Sequence, residues 1–272
     1  MNAVFQQVGW AARRRDIAFI RNAQAGAPGL VWLSGFKSDM ISTKASAVAA
    51  FAEAHGIAML RFDYSGHGQS GSGFAGSDFA ACTVSDWLEE TLALILAQTQ
   101  GPQILIGSSM GGWIALLAAR ALAARGETAR LAGMVLIAPA VDFTQKLLWP
   151  RLSDAARDEI MQLGVWLRPS PYASEPYPIS RALIEDGAQN LLMDAPMRSY
   201  GPVHILQGMR DEDVPFTHAQ AIAALLASDE VTLTLVPDGD HRLSRDQDIA
   251  LLLKTIGQAI KNAPIALTMG AS

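Results

Sequence analysis

Only one cysteine occurs in the chain, Cys82, which excludes an internal disulfide framework and a thiolate metal site. A lone thiol fits a reducing compartment, where its ordinary use is as a small apolar residue on a helix face. Charge is sparse as well: charged residues are 17% of the sequence and the net charge is −5, so no basic excess exists for a stripe. Nucleic acid and anionic membrane surfaces are therefore poor partners. No apolar run reaches the ~20 residues of a membrane span, so no integral membrane segment is expected. Internal repeats and low-complexity tracts are also missing, which sets solenoid folds aside. The stretch after Arg13, Arg14 and Arg15 lacks the charged, apolar, small-residue order of a secretory signal. An Arg-rich, acid-poor opening is shared with organellar transit peptides, but this one is short, and a cytoplasmic protein is the expectation.

What is present is a chain of 272 residues, 50% of them hydrophobic, enough for one large domain with an insertion. Short apolar runs read as buried strands at Leu30–Ser34, Ile57–Phe62, Gln103–Gly107, Met134–Ala138, Val203–Gln207 and Val231–Val236. Long periodic runs read as helices at Thr43–His55, Val84–Thr99, Trp113–Arg125, Thr217–Ala227 and Asp246–Lys261. Strands alternating with helices predict an α/β domain whose parallel sheet is covered on both faces. Ile17–Asn22 reads as an antiparallel edge strand ending in the turn at Gly26-Ala27-Pro28-Gly29. From Val141 to Pro202 the rhythm breaks and no strand is expected. That interval is too long for a plain loop and reads as a small helical insertion. Its clearest helix is Ser153–Gly164, with Ser153 as N-cap.

The central motif is Gly107-Ser108-Ser109-Met110-Gly111, a match to G-x-S-x-G set between a strand and a helix. A serine on such a turn is held with its hydroxyl exposed above the sheet, and the glycines avoid collisions with the neighbouring elements. A near miss at Gly68-Gln69-Ser70-Gly71-Ser72 lacks the last glycine and opens no helix. Ser109 is thus the candidate nucleophile. Its hydroxyl needs a base, and the chain has five histidines. Of these His55 ends a helix, His67 lies in a turn, His204 is inside a strand and His218 starts a helix. His241 follows the last strand, where catalytic groups of parallel sheets gather, and is the candidate base.

The orienting acid should follow the preceding strand, where Arg210-Asp211-Glu212-Asp213 offers two aspartates that chemistry alone does not separate. Asp142 is a weaker candidate, better read as an N-cap of the insertion. An oxyanion hole needs two backbone N–H groups. Met110 would supply one, and Phe36, in the loop after Leu30–Ser34, the other.

The runs Arg61-Phe62-Asp63-Tyr64-Ser65-Gly66-His67-Gly68-Gln69-Ser70, Gly107-Ser108-Ser109-Met110-Gly111-Gly112-Trp113 and Gly208-Met209-Arg210-Asp211 resemble the α/β-hydrolase superfamily. More narrowly, the chain is similar to the mitochondrial group of palmitoyl-protein thioesterases that also hydrolyse acyl glucuronides, and to its bacterial relatives. The resemblance runs from about Leu30 to Ile256 and includes Gly164-Val165-Trp166 and Asp240-His241-Arg242. It implies a mostly parallel sheet of about eight strands with helices on both faces and a small helical lid. Residues 1–140 and 203–272 would form the core and 141–202 the lid. The family's G-x-x-D pattern falls on Gly208 and Asp211, which favours Asp211 over Asp213. Ser34 stands where the superfamily usually has histidine. The implied chemistry is hydrolysis of esters or thioesters without cofactor or metal, on a small-molecule or acylated substrate. Trp149 and Trp166 are expected to line an apolar substrate pocket. The alternatives are C–C or amide hydrolysis on the same residues, or a non-catalytic receptor of the same fold.

Overall fold

The computed structural model describes residues 2–9, 13–24, 28–70, 79–169, 176–226 and 230–263. The expected turn at Gly26-Ala27, the end of the near miss at Gly71-Ser72 and the helix end at Ala227 lie outside the described residues.

The strands are β1 (Val4–Val8), β2 (Arg15–Arg21), β3 (Gly29–Leu33), β4 (Met59–Phe62), β5 (Gln103–Ser108), β6 (Leu131–Ile137), β7 (Val165–Arg168), β8 (Tyr177–Ser180), β9 (Val203–Gly208) and β10 (Val231–Val236). The helices are α1 (Thr43–Ala54), α2 (Val84–Gln98), α3 (Met110–Ala124), α4 (Asp154–Leu163), α5 (Arg181–Gln189), α6 (Phe216–Leu225) and α7 (Asp246–Asn262). An eight-stranded sheet runs in the order β1-β2-β4-β3-β5-β6-β9-β10. It is antiparallel at β1–β2 and β2–β4 and parallel from β4 to β10. The α/β-hydrolase architecture expected from the sequence is the one observed.

Side chains alternate across a strand, so continuous apolar runs supply both faces at once. On one face Val31, Leu33, Leu105 and Leu136 pack with Trp87 of α2, most of α3 and Ile222 of α6. One step along, Leu30, Trp32, Ile106 and Val135 pack with Val48 of α1 and Ile256 of α7 on the other. Among the six parallel strands, β3, β5, β9 and β10 carry the loops of the site, and all point their carboxyl ends the same way. Their outgoing loops therefore meet above one edge of the sheet.

Between β6 and β9 the expectation of no strand is corrected. The helix foreseen there is α4, capped by Ser153 accepting from the Ala156 N–H at 3.2 Å and ended by Gly164 at φ 87°. The next residues, Val165-Trp166-Leu167, are β-formers and pair antiparallel with β8 in a two-stranded sheet. Each run is only four residues long, too short for a period to register. The mostly exposed β1 was also missed, and because it pairs outside β2 the expected edge strand at Ile17–Asn22 has a neighbour on both sides. Asp142 caps no helix. Its buried carboxylate accepts the N–H groups of Leu192 and Met193 at 2.9 and 2.8 Å, tying the two ends of this segment together.

Arg15 anchors β2 to α2 from a buried position. Its guanidinium pairs with Glu90, donates to Glu89 at 2.7 Å and reaches the Asp86 carbonyl at 3.1 Å. Burial pushes the Glu90 carboxyl up to about 7 against the pull of Arg15. Replacing Arg15 by Met would leave Glu90 buried without its cation, which costs about 3–5 kcal/mol in stability. A carboxyl whose folded value is raised stabilises the fold most below its unfolded value and loses that contribution as pH rises toward the folded one. The Arg15→Met loss, read by urea unfolding, should therefore be larger at about pH 8 than at about pH 5.5.

Candidate active site

Ser109 stands at the junction of β5 and α3 with φ 54° and ψ −118°, a conformation rare for a residue with a side chain. The turn is sharp because the first turn of α3 lies directly over the strand ends. A Cβ on Gly107 would run into the Gly111 carbonyl, and one on Gly111 into the Leu33 carbonyl of β3. Two backbone hydrogen bonds pin the serine itself: its N–H donates to Ile137 at 2.8 Å, and its carbonyl accepts from Ala140 at 3.0 Å.

The Ser109 hydroxyl lies 3.0 Å from Nε2 of His241, and Nδ1 of that ring lies 2.8 Å from Oδ2 of Asp211. His241 is in the loop after β10 and Asp211 in the loop after β9. The remaining histidines lie elsewhere: His55 contacts the Phe51 carbonyl, His218 the Val141 carbonyl, and His204 sits within β9.

Asp211 and Asp213 are separated by their partners. The Asp211 side chain is fully buried, and its Oδ1 accepts the N–H groups of Asp213 and Val214 at 3.0 and 2.8 Å. Its Oδ2 accepts from Gln207 Nε2 at 3.0 Å as well as facing His241. Asp213 is half-exposed and faces Arg168 at 3.5 Å. Asp211, Asp213 and His241 bring ligand-type atoms within 4.8 Å of one another, a spacing a cation could use, but the Asp211 oxygens are already engaged by these donors.

The two backbone groups expected to face an oxyanion flank the serine. Met110 is the first residue of α3, so its N–H has no acceptor one turn back in the helix. The loop after β3 passes close by: a Cβ on Gly35 would sit 3.3 Å from that of Ser109. Phe36 follows, its ring edge-on to Phe79 at 4.9 Å and tilted against Phe143 at 5.6 Å.

Two cavities meet at the Ser109–His241 pair. One, of about 250 Å³, is lined mainly by apolar side chains, among them Phe36, Leu147, Leu148, Trp166 and Ile179. The other, of about 620 Å³, is polar, with Lys37, Ser42, Lys44 and Arg242 around it. Trp166 thus lines the apolar cavity. Trp149 does not: it packs against the Leu148–Ile160 cluster with Arg157 over its ring at 5.6 Å. Sequence reasoning passed over Gln207, although a buried polar letter closing an apolar strand was the available signal. It also passed over His67, whose ring is buried beneath the loop bearing Phe36.

The model of the alpha/beta hydrolase family matches residues 25–252. The chain belongs to that family. A relative from Bos taurus, palmitoyl-protein thioesterase ABHD10, mitochondrial, is 36% identical over 236 residues, covering 86% of this chain and 73% of its own. A solved structure of a hydrolase from Agrobacterium vitis S4 superposes with a TM-score of 0.90 at 44% identity, covering 95% of this chain and 98% of the other. Alpha/beta hydrolase domain-containing protein 10 from mouse superposes with a TM-score of 0.80 at 32% identity, covering 95% and 99%. The expected cytoplasmic location is corrected by these comparisons, since the matching thioesterases are mitochondrial. A single cysteine suits a reducing organelle as well as the cytosol, so composition had no power to separate them. Among the described residues, no helix is long and apolar enough to cross a membrane.

The hydrogen bonds on the two aspartates predict unequal mutants. Asp211→Asn should lower turnover by about 10³-fold or more, because the imidazole loses its tautomer control. Asp213→Asn should cost less than about tenfold. Steady-state rates on one p-nitrophenyl ester decide between them, and a reversed order would move the acid to Asp213.

Proposed function

We propose that the protein is a serine hydrolase of carboxylic esters and thioesters, with Ser109, His241 and Asp211 as its triad. The observation that carries this reading is the unbroken sequence of contacts from the Ser109 hydroxyl through both nitrogens of His241 to Asp211. A hydroxyl becomes a useful nucleophile when a neighbouring base takes its proton, and a carboxylate behind the ring fixes which nitrogen is free to do so.

In this mechanism Ser109 Oγ attacks the acyl carbonyl carbon while its proton passes to Nε2 of His241. The carbonyl oxygen becomes an oxyanion facing the N–H groups of Phe36 and Met110. As the tetrahedral species collapses, His241 returns the proton to the departing alkoxide or thiolate and the acyl group stays on Ser109. Water then attacks the acyl-enzyme, giving a proton to His241, and the second collapse frees the carboxylic acid and restores the serine. The apolar cavity suits the acyl chain, and the polar one faces the leaving group. Residues 141–202 act as the lid, since Leu147, Leu148 and Trp166 close the acyl side. The thioesterase relatives support the acyl-transfer class.

Ser109→Ala should reduce kcat by about 10⁴-fold or more and abolish labelling by a fluorophosphonate probe, because the triad acts as a unit. An undiminished rate would sink the assignment.

Acyl preference is tested with p-nitrophenyl esters and matched acyl thioesters of increasing length. Each added methylene buried in the apolar cavity is worth about 0.8 kcal/mol, so kcat/KM should rise about three- to fourfold per carbon until the cavity fills. A rate that peaks at acetyl would defeat the acyl-pocket assignment.

A further inference from the structure

We propose that His67 is a positioning residue for the oxyanion side of the site, holding the turn at Gly35–Lys37 in place against Ser109. The role rests on the hydrolytic reading above and adds to it a residue more than forty positions from the serine in sequence.

The turn cannot hold its shape unaided. Lys37 sits at φ 59°, a region that side-chain-bearing residues avoid, so its N–H needs a fixed acceptor to keep it there. That acceptor is Nε2 of His67 at 3.0 Å. On the other side of the ring, Nδ1–H donates to the Ser65 carbonyl at 3.1 Å, which sets the tautomer that leaves Nε2 free to accept. The ring is 3% exposed and caged edge-on by Tyr64, Phe79 and Trp87 at 5.7, 4.9 and 5.4 Å. Burial lowers its protonation to about pH 4, so the acceptor persists at neutral pH.

Peptide planarity turns this bond into control of the Phe36 N–H. That N–H shares a plane with the Gly35 carbonyl, which accepts from Ser38 at 3.1 Å. The next plane carries the Lys37 N–H held by His67. With both planes pinned and Gly35 packed on Ser109, the Phe36 N–H has one direction available. Ser65 is itself anchored: its N–H donates to Glu90 at 3.0 Å, and its carbonyl also accepts from Trp87 Nε1 at 3.2 Å. His67 is thus braced from the core and pushes outward on the loop. Removing it leaves the substrate cavities lined as before and loosens only the donor, a change felt where negative charge develops.

The test compares wild type, His67→Phe and His67→Gln on p-nitrophenyl octanoate and against a trifluoromethyl ketone of the same acyl chain. Phenylalanine keeps a ring in the cage and removes the acceptor, whereas the glutamine carboxamide oxygen reaches toward the Lys37 N–H. His67→Phe should lower kcat about tenfold to a hundredfold with KM within about threefold. Its ketone affinity should weaken by the same factor as kcat/KM, since the ketone adduct carries the oxyanion. His67→Gln should recover most of both. If His67→Phe does not fold, His67→Met serves in its place. Unchanged kcat and ketone affinity in the folded variant would overturn the role. So would a loss confined to KM and melting temperature. Wild-type turnover that survives Ser109→Ala would instead bring down the hydrolytic reading, and this role with it.

Discussion

The close approach of α3 to β3 and β5 is the constraint on which the site depends. β5 passes into α3 with no connecting residue beyond Ser109, and Ser109 carries the backbone strain of the reversal at φ 54°. A left-handed, non-glycine residue costs on the order of 1–3 kcal/mol and persists only where its surroundings dictate it. Here they do, because Gly107 and Gly111 let the helix start lie against the strand ends and the Leu33 carbonyl. That packing lifts the serine hydroxyl clear of the sheet. It also places the loop after β3 beside the serine, so one contact fixes both the hydroxyl and its neighbouring backbone donors.

Sheet order then makes the remaining groups converge. β3, β5, β9 and β10 each hand one element of the site to the same edge: the Phe36 loop, Ser109, Asp211 and His241 in turn. None of the four is close to another in sequence except through this geometry. Each is held by hydrogen bonds it would otherwise lack: Asp211 by the Asp213 and Val214 N–H groups and Gln207, and the Lys37 turn by His67. Such preorganisation matters because donors already aimed need not reorient as charge appears.

Those parts of the molecule whose signal is local were legible in the sequence. Buried parallel strands declare themselves as apolar runs, and the strand–serine–helix turn as glycines at fixed spacing. Ser153 at the start of α4 was equally plain. The pair β7–β8 was not, because four-residue strands stabilise each other only in three dimensions and Pro178 argues against a strand when read alone. Asp142 was misread for a related reason: its acceptors' partners, Leu192 and Met193, lie fifty residues on. His67 looked like a turn histidine since nothing in Gly66-His67-Gly68 reveals that Lys37 lies above it. The choice of Asp211 over Asp213 came from a family pattern, and only the backbone donors around its carboxylate give a physical ground for it.

The buried Arg15–Glu90 pair raises the question of why so costly an arrangement exists at all. Replacing a buried ion pair by well-packed apolar residues is often neutral or even stabilising, so stability is a weak explanation for it. Glu90 has a further task that an apolar residue could not perform. Its second oxygen accepts the Ser65 N–H, a backbone donor that is itself buried and would otherwise go unpaired. Ser65 in turn presents the carbonyl that fixes the His67 tautomer. The charge of Glu90 makes it a strong acceptor for that N–H, and Arg15 keeps the charge tolerable in the interior. The ion pair is thus better understood as the footing of the Ser65–His67 turn than as cement between β2 and α2.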